Sequence, residues 1–332
     1  MLKLSKAKKE KMDKLSTSDG IINALAIDQR GALKKMINAL DGEPKAKGEV
    51  VEEFKALVSQ ELTSYTSAIL LDPEYGLKAA NMRDDQAGLL LAYEKSGYDT
   101  TQLGRLPDLL EDWSALRLKA EGADAVKFLL YYDIDEDPHI NHLKHVFIER
   151  LGSECAAEEI PFYLELLSYD AQNADTDSKE YAEVKPHKVI EMMKEFSKPQ
   201  YKADVLKVEI PVDMKFVAGY TDEEAIYTKE EAKAYFKAQS QAAEIPFIFL
   251  SAGVSTEMFQ ESLRLAKEAG STFNGVLCGR ATWKNGVTPF FEKGEQEAVD
   301  WLKTQGKENI ETLNQFEFTQ NLKGLSNKRK PR

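Results

Sequence analysis

Two lysines lie inside runs of apolar residues, and a glutamate lies between them in the chain. Lys127 falls in Ala-Val-Lys-Phe-Leu-Leu-Tyr-Tyr at 125–132, Glu165 in Phe-Tyr-Leu-Glu-Leu-Leu, and Lys207 in Asp-Val-Leu-Lys-Val-Glu-Ile-Pro. Lysine is rarely enclosed by apolar neighbours unless it is paired or functional. Burial and a nearby second ammonium group both lower a lysine pKa from about 10.4, which yields the neutral amine that attacks a ketone. Glu165 could move protons while the resulting carbinolamine loses water.

A second set of residues suits phosphate. The small residues Ser-Ala-Gly-Val-Ser at 251–255 precede a helix-like segment, and backbone N–H groups at such a turn can cradle an anion. Gly279 permits close approach of the backbone, and Arg280 adds a permanently charged planar donor. Arg30, which follows Asp28 and Gln29, is a candidate for a second anion site.

Eight short apolar runs could position these residues. They cover 21–28, 66–72, 88–94, 123–132, 161–169, 203–211, 246–253 and 273–280. Nearly continuous apolar runs are typical of strands that are buried on both faces. Segments with helical spacing separate them, such as 51–65, 229–243 and 256–269.

Eight strand–helix repeats predict an α/β fold, a parallel (β/α)8 barrel. An open doubly wound sheet is the alternative, but the first run ends in Asp-Gln-Arg-Gly without a G-x-G-x-x-G turn. In a barrel, the active site forms at the carboxyl ends of the strands, and interior layers draw side chains from alternate strands. Lys127 and Lys207 fall on strands four and six, so we expect them in the same layer or one layer apart.

Composition limits the kind of partner and compartment. The 332 residues carry a formal net charge of -12, which argues against binding to nucleic acid or an anionic membrane. The charged N-terminus lacks the apolar core of a signal peptide, and Cys155 and Cys278 are too few for a disulfide framework, so we expect a cytoplasmic protein. We expect one barrel domain over 1–332, with a helical extension at 1–17 and a tail at 317–332. We also expect a homo-oligomer, although no pattern marks its interface.

Two alternatives remain open from the residues. A metal-dependent aldolase or isomerase could use the barrel's histidines, but none falls in the eight runs; they are His139, His142, His145 and His187. The first three follow an acidic stretch and are typical of a solvated helix face. The other alternative is a regulatory barrel that binds a sugar phosphate without turning it over.

Five segments resemble the tagatose 1,6-bisphosphate aldolases of lactic and related bacteria. The resemblance extends from about residue 12 to about residue 315 and is carried by 24–33, 70–76, 122–132, 204–209 and 273–283. It implies a class I aldolase, a lyase of the tagatose-6-phosphate branch of lactose and galactose catabolism, which needs neither metal nor cofactor. It places the Schiff-base lysine on Lys207, the proton-transfer acid on Glu165, the first-strand aspartate on Asp28 and the helper lysine on Lys127.

The substrate implied by this resemblance is D-tagatose 1,6-bisphosphate, cleaved to dihydroxyacetone phosphate and D-glyceraldehyde 3-phosphate. Loose stereochemical control in the family implies that fructose 1,6-bisphosphate and other C4 epimers are also accepted. Lys127 is expected to orient substrate hydroxyls and keep Lys207 neutral. The residues predicted to bind substrate are Gln29, Arg30, Ser251, Gly253, Gly279 and Arg280.

Overall fold

The computed structural model describes residues 4–41, 48–95, 102–221 and 224–315. Eight parallel strands close into a barrel in which each strand pairs with its neighbours in the chain and the last pairs with the first. The predicted (β/α)8 barrel is therefore confirmed, and each predicted apolar run contains one strand. The strands are β1 Ile22–Ala26, β2 Ala68–Leu71, β3 Gly88–Ala92, β4 Ala125–Tyr132, β5 Phe162–Ser168, β6 Val205–Val208, β7 Phe247–Leu250 and β8 Gly275–Cys278.

Helices surround the barrel and connect its strands. They are α1 Lys6–Lys14, α2 Gly31–Asp41, α3 Gly48–Leu62, α4 Leu77–Met82, α5 Ala115–Ala120, α6 Pro138–Ala157, α7 Lys179–Phe196, α8 Lys229–Ala242, α9 Thr256–Glu268, α10 Arg280–Trp283, α11 Val287–Lys293, α12 Glu295–Trp301 and α13 Lys307–Asn314. Side-chain caps begin several of them, as where Ser255 Oγ accepts from the backbone N–H of Met258 at the start of α9. Within the described ranges, no helix is long and apolar enough to cross a membrane.

The first helix lies against the amino ends of the strands. Met12 and Leu15 of this region are buried in the same apolar cluster as the inward residues of the lower barrel. Lys8 Nζ lies 2.6 Å from Asp204 Oδ2, next to the start of β6. The predicted N-terminal helix is present, whereas the predicted tail at 317–332 lies outside the described residues.

The inward side chains change from apolar to charged along the barrel axis. Side chains in a strand alternate between its two faces, so residues two apart point the same way. The lower interior contains small and apolar residues, among them Ala24, Ala26, Leu90, Ala92, Ala125, Tyr163 and Val205. Continuing the same period of two toward the carboxyl ends gives Asp28, Glu94, Lys127, Glu165 and Lys207. The barrel interior therefore contains a layer of five charged side chains, the charged layer, next to an apolar layer.

Candidate active site

Lys127 lies at the centre of the charged layer and contacts three carboxylates. Its Nζ lies 2.9 Å from Asp28 Oδ2, 2.5 Å from Glu94 Oε1 and 2.7 Å from Glu165 Oε2, and the side chain is 2% exposed. Burial alone would lower the pKa of Lys127, but the three carboxylates outweigh it and hold that pKa well above its usual value. The expectation that burial and repulsion would make this lysine a neutral amine is therefore wrong for Lys127.

Glu165 joins the two lysines. The same Oε2 atom that contacts Lys127 lies 2.8 Å from Lys207 Nζ, so both ammonium groups meet one carboxylate oxygen. The strand register explains this contact, because Glu165 on β5 pairs directly with Lys207 on β6. Burial raises the pKa of Glu165, but the charges of Lys127 and Lys207 outweigh burial and lower it overall. The two lysines thus lie at the same end of the barrel, as the layer argument predicted.

The pKa values of Asp28 and Glu94 are shifted in opposite directions. Burial raises the pKa of Asp28, but the nearby charges of Lys127 and Lys207 hold it below the usual value. Burial also raises the pKa of Glu94, and the charge of Lys127 only partly offsets that rise. Asp28 is therefore an ionised partner of Lys127. Glu94, which sequence reasoning gave no catalytic role, is a further contact of the same lysine and could have been found from its inward phase on β3.

A cavity of about 870 Å³ opens above this layer at the carboxyl ends of the strands. Its wall includes Lys207 and Glu165, so the ammonium group of Lys207 is accessible to a small molecule. Lys127, Asp28 and Glu94 are not among the lining residues, and Lys127 connects both of these carboxylates to Glu165. Four further cationic side chains line the cavity, namely Arg105, Lys185, Lys215 and Arg280. Their positive charges favour an anionic ligand locally, although the whole chain has a negative net charge.

The predicted phosphate residues come together on one side of this cavity. Ser251 O accepts from Val254 N at 3.1 Å, and the two residues between them have left-handed backbone, with φ of 47° at Ala252 and 82° at Gly253. A Cβ at Gly253 would lie 2.6 Å from Arg280 Nη2, so the guanidinium group lies directly over the turn. Together the turn and Arg280 present backbone N–H groups and a fixed positive charge to the cavity.

Gln29 lines the cavity beside Gly279, and Arg30 is not among the lining residues. A Cβ at Gly279 would lie 3.3 Å from Gln29 Nε2, and within the described part of the chain the buried Oε1 of Gln29 has no hydrogen-bond partner. Arg30 instead lies 2.5 Å from Glu74 Oε2 and donates to the carbonyl of Glu94 at 2.8 Å. Its role as a second anion site stays a prediction, and in the structure the partner of Arg30 is Glu74 in the following βα loop.

Two other strand-end carboxylates have structural partners. Asp72 pairs with the buried Lys55 and accepts from two backbone N–H groups of its own loop. Glu209 follows Lys207 by two residues and shares its inward phase. It lies nearer the mouth, where its Oε2 accepts from the N–H and Oγ of Ser168, both at 2.7 Å.

The histidines lie outside the charged layer. His139 and His142 are exposed on α6, as expected for a solvated helix face, but His145 is partly buried and lies 2.9 Å from the hydroxyl of Tyr132. His187 contacts Asp135 at 3.2 Å. Among the residues that the structure describes, no three His, Cys, Asp or Glu side chains form a group that could hold a metal ion.

Comparison with known proteins gives one consistent result. The profile of the DeoC/LacD family aldolases matches residues 22–285. Tagatose 1,6-diphosphate aldolase 2 of Enterococcus faecalis is 74% identical over 315 residues, covering 95% of each chain. The tagatose 1,6-diphosphate aldolases of Streptococcus pneumoniae and Lactococcus lactis are 56% and 55% identical, each covering 94% of this chain and 95% of the relative.

Solved structures share the fold at low identity. Fructose-bisphosphate aldolase from Plasmodium falciparum superposes with a TM-score of 0.69 at 16% identity, covering 94% of this chain and 95% of that chain. A Schiff-base-forming fructose-1,6-bisphosphate aldolase gives a TM-score of 0.57 at 14% identity, covering 92% of this chain and 99% of that chain.

Proposed function

The chain belongs to the DeoC/LacD family of aldolases, and we propose that it cleaves D-tagatose 1,6-bisphosphate through a Schiff base on Lys207. The products are dihydroxyacetone phosphate and D-glyceraldehyde 3-phosphate. The observation that carries the assignment of Lys207 is the unequal placement of the two lysines. Lys207 lines the cavity and contacts one carboxylate, whereas Lys127 is enclosed by three.

Formation of the Schiff base requires that Lys207 lose a proton and that the carbinolamine lose water. The Glu165 oxygen 2.8 Å from Lys207 Nζ is the nearest base for the first step. The amine then adds to the C2 ketone, and Glu165, now protonated, returns its proton to the departing hydroxyl. Lys127 remains an ammonium group throughout, because its three carboxylates raise its pKa.

The iminium ion then accepts the electron pair of the C3–C4 bond. A carboxylate takes the proton of the C4 hydroxyl, C3–C4 breaks, and glyceraldehyde 3-phosphate leaves. Glu165 is well placed as this base because it lines the cavity, whereas Asp28 is not among the lining residues. Protonation and hydrolysis of the remaining enamine release dihydroxyacetone phosphate and free Lys207.

One phosphate of the substrate binds the turn at 251–253 together with Arg280, and Gln29 accepts a hydrogen bond from a substrate hydroxyl. Both assignments use groups that face the cavity, and the amide oxygen of Gln29 lacks a protein partner among the described residues. We further propose that fructose 1,6-bisphosphate, which differs from the tagatose bisphosphate only in configuration at C4, is cleaved as well.

The test is steady-state cleavage of both bisphosphates, with each product measured by a coupled dehydrogenase. We expect equal amounts of the two triose phosphates, activity that persists after treatment with EDTA, and no activity in Lys207→Met. Failure to release triose phosphate from either sugar would contradict the proposed function. Loss of activity with EDTA, restored by a divalent cation, would instead favour a metal-dependent aldolase.

A further inference from the structure

We infer that Trp283 and Thr256 are positioning residues for Arg280 and the turn at 251–253. The inference rests on the proposed function, since it concerns how these groups are held for a phosphate of the substrate. Neither Trp283 nor Thr256 is among the residues that line the cavity. Any effect on a bound phosphate must therefore pass through the backbone that they anchor.

The placement of Arg280 depends on the short helix that carries it. Arg280 is the first residue of α10, which has only four residues, and it is exposed. A single helical turn is not stable by itself in water, so its direction must come from contacts with the rest of the chain. The guanidinium group nevertheless lies over the turn, where a Cβ at Gly253 would meet Arg280 Nη2 at 2.6 Å. Anchors of α10 therefore decide where this charge lies.

Trp283 anchors the last residue of α10 to the first strand. It is 0% exposed, and its indole N–H donates to the carbonyl of Ala26 at 2.8 Å. The ladder between β1 and β8 has its last pair at Leu25 and Cys278, so the carbonyl of Ala26 lies one residue beyond it. A buried carbonyl requires a donor, and the indole N–H can only donate. This bond therefore fixes α10 against the carboxyl end of β1.

Thr256 joins α10 to the turn. It is the first residue of α9 and follows the segment 251–255 directly. Its Oγ1 donates to the carbonyl of Ala281, the residue after Arg280, at 2.7 Å. The hydrogen bond thus connects the segment after β7 to the segment after β8. Together, the bonds of Trp283 and Thr256 set the distance between the turn and Arg280.

The experiment compares two ketones that differ only in a phosphate. Dihydroxyacetone phosphate and dihydroxyacetone can both form a Schiff base on Lys207, and borohydride fixes the adduct for mass spectrometry. The variants are Trp283→Phe, which loses the N–H donor but keeps an aromatic ring, and Thr256→Val, which loses the hydroxyl but keeps the shape. For dihydroxyacetone phosphate, we expect the concentration that gives half the maximal trapping rate to rise about 3- to 10-fold, as for loss of one hydrogen bond. For dihydroxyacetone, the trapping rate should stay within about twofold of the wild-type rate, because no phosphate is held.

Two further variants separate positioning from general support of the fold. Thr256→Ser keeps the hydroxyl and should restore the wild-type concentration for dihydroxyacetone phosphate. Trp301→Phe is the matched control for the indole, since Trp301 lies on α12 and is not among the residues that line the cavity. It should change neither ketone. Thr256 is only partly buried, so Thr256→Val tests the inference without a change in the core.

Three results would count against these assignments. Equal losses with both ketones in Trp283→Phe and Thr256→Val would overturn the inference, because the two residues would then support the whole active site. Unchanged trapping of dihydroxyacetone phosphate in both variants would also overturn it. Folded wild-type protein that traps neither ketone would contradict the proposed function itself, a result that is distinct from the other two.

Discussion

Replacing Lys127 by Met tests the electrostatic account of the charged layer. Methionine keeps the length of the apolar stem but removes the positive charge that contacts Asp28, Glu94 and Glu165. These side chains are 5–11% exposed, so water cannot replace the lost ammonium group effectively. Breaking a buried ion pair by removing one partner costs about 3–5 kcal/mol, and we expect a loss of that size in the free energy of unfolding near pH 7.5.

The loss should depend on pH with a definite sign. In the wild type, Lys127 holds the pKa of Asp28 and Glu165 below their usual values, so these carboxylates stabilise the fold above their unfolded pKa values and stop doing so as the pH falls. In Lys127→Met, burial is no longer opposed by this charge, and the folded pKa values rise above the unfolded ones. The variant's deficit should therefore be small below about pH 4, near the unfolded pKa values, and grow as the pH rises.

Urea denaturation of both proteins at several pH values between 4 and 8 measures this deficit. Lys188→Met is the matched control, because Lys188 Nζ also contacts three carboxylates, at 2.6, 3.1 and 3.6 Å, but one of them, Asp135, is well exposed. We expect a smaller deficit in the control. A deficit in Lys127→Met that does not change with pH, or one smaller than that of the control, would refute the reasoning.

Three further predictions follow from the contacts. Glu165→Gln should lower kcat for cleavage by about 10²- to 10⁴-fold, the usual contribution of a general acid–base, and a kcat within a few-fold of wild type would argue against this role. Arg280→Ala should raise the KM for dihydroxyacetone phosphate about 10- to 100-fold. Gly253→Ala should also raise this KM, because the added Cβ would displace the Arg280 guanidinium group. Unchanged KM values in both variants would show that the turn does not bind the phosphate. Arg30→Met should lower the free energy of unfolding by about 1–3 kcal/mol with KM unchanged, and a raised KM in folded protein would restore Arg30 to the substrate site.

The sequence predicted the barrel well because its strands are buried on both faces. Continuous apolar runs marked all eight strands, although the observed strands are shorter by a few residues, as for β3 at Gly88–Ala92 within the predicted 88–94. The period of two and the order of the strands also predicted that Lys127, Glu165 and Lys207 meet at one end. The apolar runs and the period of two are local properties of the sequence, and the meeting of the three residues follows from the strand order.

The sequence did not predict contacts that join distant loops. Arg30 follows β1 at a position typical of the site, but its pairing with Glu74 depends on the path of the loop after β2. Arg105 lies in a loop without hydrophobic periodicity, and only the folded chain places it against Tyr169 at the cavity. The high pKa of Lys127 was missed because three carboxylates from three different strands had to be counted around it.

Borohydride trapping with dihydroxyacetone phosphate, followed by peptide mapping, tests the Schiff base on Lys207 most directly. Reduction should add the mass of the bound triose phosphate to the peptide that contains Lys207, and the Lys207→Met protein should gain no mass. An adduct on Lys127 would contradict the assignment, because it would require a neutral amine where three carboxylates hold a charge. The absence of any adduct in folded wild-type protein would contradict the covalent mechanism.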